Sequence, residues 1–141
     1  MIPRVVLDTN VLVAAIRSRR GASFRLLSLV GTGAFEIALT VPLVIEYESV
    51  LKKHARAAGL THKDVDDLLD YLCSEGHHQA VYFLWRPILR DLKDDMVLEA
   101  AVESDSDFLV TFNVKDFSGT EKFNVEVIEP RMLLQELGEL K

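Results

Sequence analysis

The chain has 141 residues, 49% hydrophobic and 27% charged, with 7 Gly and 4 Pro, which suits one domain (residues 1–141) with a sizeable core. Its net charge of −6 argues against a general polyanion binder, and its single cysteine, Cys73, excludes an internal disulfide framework and a cysteine-based zinc site. No apolar stretch approaches the roughly 20 residues needed to span a bilayer. The start lacks the features of a signal peptide, so the expectation is a soluble, cytoplasmic protein with no membrane partner.

Arg4 to Leu7 predicts a strand buried on both faces, because it shows no polar alternation. It ends at Asp8, a carboxylate at a strand–helix junction, where desolvation is costly without a partner. Thr9 or Asn10 can cap a helix that begins at Val11. Residues 22–31 predict a second helix through Phe24, Leu27 and Val30, stopping at Gly31 or Gly33. Phe35 to Val41 predicts a second strand, and Pro42 suits the first turn of a helix that runs to about Ala58. Thr61 caps the next helix, whose Val65, Leu68, Leu69 and Leu72 form one apolar stripe. Cys73 beside that stripe reads as a small buried hydrophobe. His77-His78 reads as a loop, because adjacent side chains of an extended segment point to opposite faces and do not share a metal. Ala80 to Trp85 predicts a third strand, Asp94-Asp95 opens a helix through about Ser104, and Phe108 to Thr111 predicts a fourth strand. Val125 to Ile128 predicts a fifth, and Pro130 introduces a terminal helix with Met132, Leu133, Leu134 and Leu137.

Strands alternating with helices require crossover connections, so the expected fold is a three-layer α/β/α sandwich with a mainly parallel central sheet. Such sheets bind ligands at the carboxyl ends of their strands, near a reversal of strand order. Several acids converge there. Asp8 follows the first strand, and Asn113 and Asp116 follow the fourth. Glu46 and Asp95 begin helices entered from the same edge, with Asp91 and Asp94 close to Asp95. Each has an ordinary alternative as a cap or loop residue. Glu46, however, has no basic residue at helical spacing, whereas Glu48 has Lys52 four residues on. Clustered carboxylates repel unless a cation joins them, and as hard oxygen ligands they suit Mg²⁺ or Mn²⁺. A pair of such ions promotes phosphodiester hydrolysis.

The charge is uneven. Residues 1–35 hold Arg4, Arg17, Arg19, Arg20 and Arg25 against Asp8, a net +4, which leaves −10 on the remainder. The segment Arg17 to Arg25 is either a solvated surface or a contact for a negatively charged substrate or partner. A receiver-like signalling domain also gathers acids at a parallel sheet edge. It would need an acid after the third strand, where this chain reads Leu84-Trp85-Arg86.

VVLDTNVLVAA, the Glu46 helix, DDMVLEAAVESDSDFLVTFNVKDF and VIEP followed by a helix together resemble the PIN-domain family of ribonucleases, over nearly the whole chain. The likeness extends to the small toxins of bacterial and archaeal toxin–antitoxin pairs. It implies that Asp8, Glu46 and Asp95 are the catalytic, metal-holding acids, with Asp116 assisting and Asn113 at the family's fourth polar position. Asn10, Asp94 and Thr111 take auxiliary positions. An amide is a poorer cation ligand than a carboxylate, so Asp116 can stand in for Asn113. The resemblance further implies Mg²⁺- or Mn²⁺-dependent cleavage of RNA, a homodimer, and inhibition by an antitoxin. The alternative is a PIN domain with little activity that binds RNA or a protein.

Overall fold

A computed structural model describes residues 2–81 and 92–139. Five strands, β1 (Arg4–Leu7), β2 (Glu36–Leu39), β3 (His77–His78), β4 (Phe108–Val110) and β5 (Glu126–Ile128), form one sheet in the order β3-β2-β1-β4-β5. Every pairing is parallel, with Val5 opposite Ile37 on one side and Phe108 on the other. Helices α1 (Thr9–Arg17), α2 (Ala22–Leu29), α3 (Val41–Ala55), α4 (His62–Glu75), α5 (Leu92–Glu103) and α6 (Pro130–Glu136) complete the three-layer α/β/α sandwich. β1 lies at the centre, and Val5, Val6 and Leu7 are fully buried, as an uninterrupted apolar strand requires. Leu12, Leu43, Tyr47, Leu98 and Leu109 fill the core around it.

Element boundaries differ from the expectations where side chains compete for backbone groups. α1 starts at Thr9 because Asp8 is itself the cap: its carboxylate accepts the Thr9 N–H at 2.8 Å. α3 starts at Val41 because the Thr40 hydroxyl accepts the Leu43 N–H at 3.3 Å, which ends β2 at Leu39. α2 stops at Leu29, and β4 ends one residue before Thr111.

His77–His78, expected as a loop, pairs as β3, whereas most of the expected strand Ala80 to Trp85 falls on residues 82–91, which include Trp85, Arg86 and Asp91 and lie outside the described residues. Gly76 permits the pairing. A Cβ there would sit 2.8 Å from Leu39 Cδ1 and 2.9 Å from the Leu72 carbonyl oxygen, so only glycine lets the end of α4 pass this close to β2. His77 then pairs opposite Ala38, and the Gln79 N–H donates to Leu39 O at 2.8 Å.

Candidate active site

The chain builds outward from β1 to β2 and β3, then returns to place β4 on the other side of β1. Strand order therefore reverses between β1 and β4, and the crevice beyond their carboxyl ends is the favoured ligand position of such a sheet. Asp8 emerges from β1 at this place and Thr111 from β4. Asp8 is 8% exposed and Thr111 fully buried.

Hydrogen bonds hold Asp8 through its backbone and through both carboxylate oxygens. Its backbone N–H reaches Val110 O at 2.8 Å. Its Oδ1 accepts the Thr9 N–H, and its Oδ2 accepts the Thr111 hydroxyl at 2.8 Å. Thr111 Oγ1 accepts in turn from Asn10 Nδ2 at 3.3 Å and from the Asn113 N–H at 3.0 Å. The Asn10 side chain closes the network by accepting the Phe112 N–H at 3.4 Å. Donors aimed at an ionised carboxylate offset much of its desolvation cost, so this short loop keeps a buried charge at the sheet edge.

Tyr47, on α3, reaches the same junction and donates its hydroxyl to Leu7 O. Burial, followed by the negative charge of Asp8, pushes the phenol well above its usual pKa, so it stays neutral. Local sequence reading passes over Tyr47 because it continues the buried stripe Leu43, Leu51 and Ala55.

Glu46 is half-buried, with 18% of its side chain exposed. The expectation that it lacks a basic partner is overturned: Lys93 Nζ stands 3.5 Å from Glu46 Oε1. The partner arrives from α5, so spacing within α3 could not show it. α5 also supplies Asp95, buried at 7%, and the half-buried Asp94. One turn beyond Asp95 lies Glu99, 6% exposed. Sequence reading did not single it out; the available signal is an acid inside the apolar run Met96-Val97-Leu98 and Ala100-Ala101.

Asn113 and Asp116 are exposed, Asp116 within the 3-10 turn Val114–Phe117. A concavity lined by Lys115, Phe117, Thr120, Asn124 and Val127 runs along β5. The arginines occupy a different place. α1 begins at the acid edge and carries Arg17 about 12 Å along its axis, and Arg19 and Arg20 follow it, all exposed. Arg25 is 3.5 Å from Glu139, beyond the end of α6.

Asp8, Asp95 and Glu46 are hard oxygen donors of the kind that Mg²⁺ and Mn²⁺ prefer. Their arrangement fits less well than their chemistry. Lys93 engages Glu46, and among the described residues no group of three or more His, Cys, Asp or Glu side chains could hold a metal ion.

A family model described as PIN domain matches residues 4–115. No curated protein matches the chain. Among solved structures, the crystal structure of VapBC2 from Rickettsia felis bound to a DNA fragment from their promoter is similar, with a TM-score of 0.58 and 18% sequence identity. The match covers 88% of this chain and 98% of that one, a likeness of fold.

Proposed function

The chain belongs to the PIN-domain family, and on that footing we propose that it is a divalent-metal-dependent endoribonuclease, the toxin component of a toxin–antitoxin pair. The observation that carries the reading is Asp8, a buried carboxylate held by Thr9 and Thr111 where strand order reverses. Asp8, Glu46 and Asp95 are the proposed catalytic acids and ligands for Mg²⁺ or Mn²⁺, with Asp116 and Asn113 at the rim and Asp94 auxiliary. Such an ion supplies charge neutralisation and an activated water for hydrolysis of an RNA phosphodiester.

The chain's own residues do the positioning. Thr111 and the Thr9 N–H fix both oxygens of Asp8, and Asn10 holds the Thr111 hydroxyl in place. Tyr47 braces Leu7, directly before Asp8, without adding charge. Lys93 balances Glu46 and must give way for that carboxylate to engage a cation.

The structural likeness to a chain of VapBC2 supports a cognate antitoxin as partner. A homodimer and a cytoplasmic location complete the proposal; among the described residues no helix is long and apolar enough to cross a membrane. Arg17, Arg19, Arg20 and Arg25 are the proposed contacts for RNA or an acidic partner segment, at a distance from the acids rather than beside them.

The Lys93–Glu46 pair, together with the lack of a three-acid group among the described residues, favours a second reading: a PIN domain that binds RNA or protein without cutting. Incubating the protein with end-labelled single-stranded RNA, in Mn²⁺ and in chelator, separates the two. Cleavage in Mn²⁺ that the chelator abolishes supports the nuclease. Binding without cleavage under both conditions supports the second reading.

A further inference from the structure

Among the described residues, two aromatic side chains are substantially exposed, Tyr71 and Phe112, each at 45%. The first has an internal explanation, since its hydroxyl donates to Val30 O at 2.7 Å. Phe112 has no polar atom on its ring and directly follows Thr111, the residue past the end of β4 that bonds to Asp8. From this position we infer that Phe112 is a base-stacking residue, which holds an unpaired nucleotide of the RNA next to the phosphate to be cut. The inference rests on the nuclease reading above and narrows its substrate to single-stranded segments.

Two features support the assignment. The ring is carried on backbone that is tied to the candidate catalytic acid. The Phe112 N–H donates to Asn10 Oδ1, Asn10 Nδ2 donates to Thr111 Oγ1, and the Thr111 hydroxyl donates to Asp8 Oδ2. A base resting on this ring would therefore have its phosphate set in register with Asp8. The second feature is charge. The chain carries a net charge of −6, with the buried carboxylate of Asp8 bonded to Thr111 beside this ring, and so repels a phosphate backbone. An aromatic face attracts the uncharged base, tolerates any sequence, and adds affinity where backbone contacts are weakest. A base paired within a duplex does not offer its face, so the contact selects against double-stranded RNA.

The test measures binding of a fluorescein-labelled single-stranded oligoribonucleotide, and of the same sequence annealed to its complement, by anisotropy in metal-free buffer. Cleavage in Mn²⁺ is followed alongside. Phe112→Ala should weaken single-strand binding about five- to a hundredfold and raise KM with little change in duplex binding. Phe112→Trp should restore binding, and its added indole emission should be quenched by the single strand, above the background of Trp85. Phe112→Leu discriminates the occupant: it keeps apolar surface but loses the ring face, so it should behave like alanine. If leucine binds and cleaves like the parent, the side chain is an apolar contact, such as one for a partner protein, and the inference is overturned. Alanine that binds single strands as tightly as a cleaving parent overturns the inference alone. A parent that neither binds nor cuts RNA overturns it together with the nuclease reading.

Discussion

The Thr111 hydroxyl donates to Asp8 Oδ2 at 2.8 Å across 103 positions of chain, and joins the end of β4 to the carboxylate that β1 delivers. Replacing Thr111 with valine removes that donor and deprives Asn10 and Asn113 of their acceptor. Hydrogen bonds to charged groups contribute about 1.5–3 kcal/mol each, so Thr111→Val should destabilise the protein by about that much. Thr111→Ser, which keeps the hydroxyl, should lose less. Urea unfolding of both variants checks the ordering.

Tyr47 predicts an alkaline limit. Its folded-state pKa lies above the ordinary 10.0, through burial first and the Asp8 charge second. The unfolded chain therefore releases this proton first as pH passes about 10, and the contribution of Tyr47, fully present below that value, is lost as pH climbs toward the folded value. Tyr47→Phe should flatten the fall in stability above about pH 10 relative to the parent. Urea midpoints measured across that range decide it, and parallel slopes would contradict the assignment.

The Lys93–Glu46 pair is 65% exposed on the lysine side, so it contributes at most about 1 kcal/mol to stability. Its larger effect is to occupy Glu46. Lys93→Met should leave the melting temperature nearly unchanged and tighten Mn²⁺ binding in a calorimetric titration.

Arg19 and Arg20 are exposed beyond the end of α1, away from the acids. If they contact the phosphate backbone of a longer RNA, replacing both with Gln should weaken binding and lower the slope of log affinity against log salt by about 1–2. An unchanged slope would make them an ordinary solvated surface.

The first strand and its acid were legible from sequence because Val5-Val6-Leu7 has no polar alternation and Asp8 interrupts the apolar run abruptly. The same logic failed at His77-His78, which read as a loop. The close approach of Gly76 to Leu39 and Leu72, which brings these residues beside β2, is not visible in the sequence. The acids were legible as types but not as partners. Lys93 lies 47 residues from Glu46 on another helix, and the Asp8–Thr111 bond depends on strand order, which local spacing does not encode. Tyr47 and Glu99 were hidden for a related reason: both sit inside apolar stripes, and only folding brings Tyr47 to the Leu7–Asp8 junction.

The central claim is that Asp8 belongs to the machinery that cuts RNA, and one substitution tests it most directly. Asp8→Asn preserves the side chain's shape and keeps one oxygen to accept the Thr9 N–H, while its amide nitrogen loses only the bond accepted from the Thr111 hydroxyl, so the fold should persist with a modestly lowered melting temperature. Cleavage of single-stranded RNA in Mn²⁺, assayed beside a cleaving parent protein, should fall at least a hundredfold, on the order of the loss when a positioned acid–base or electrostatic group is removed. A folded Asp8→Asn protein that cuts RNA at the parent rate would contradict the account.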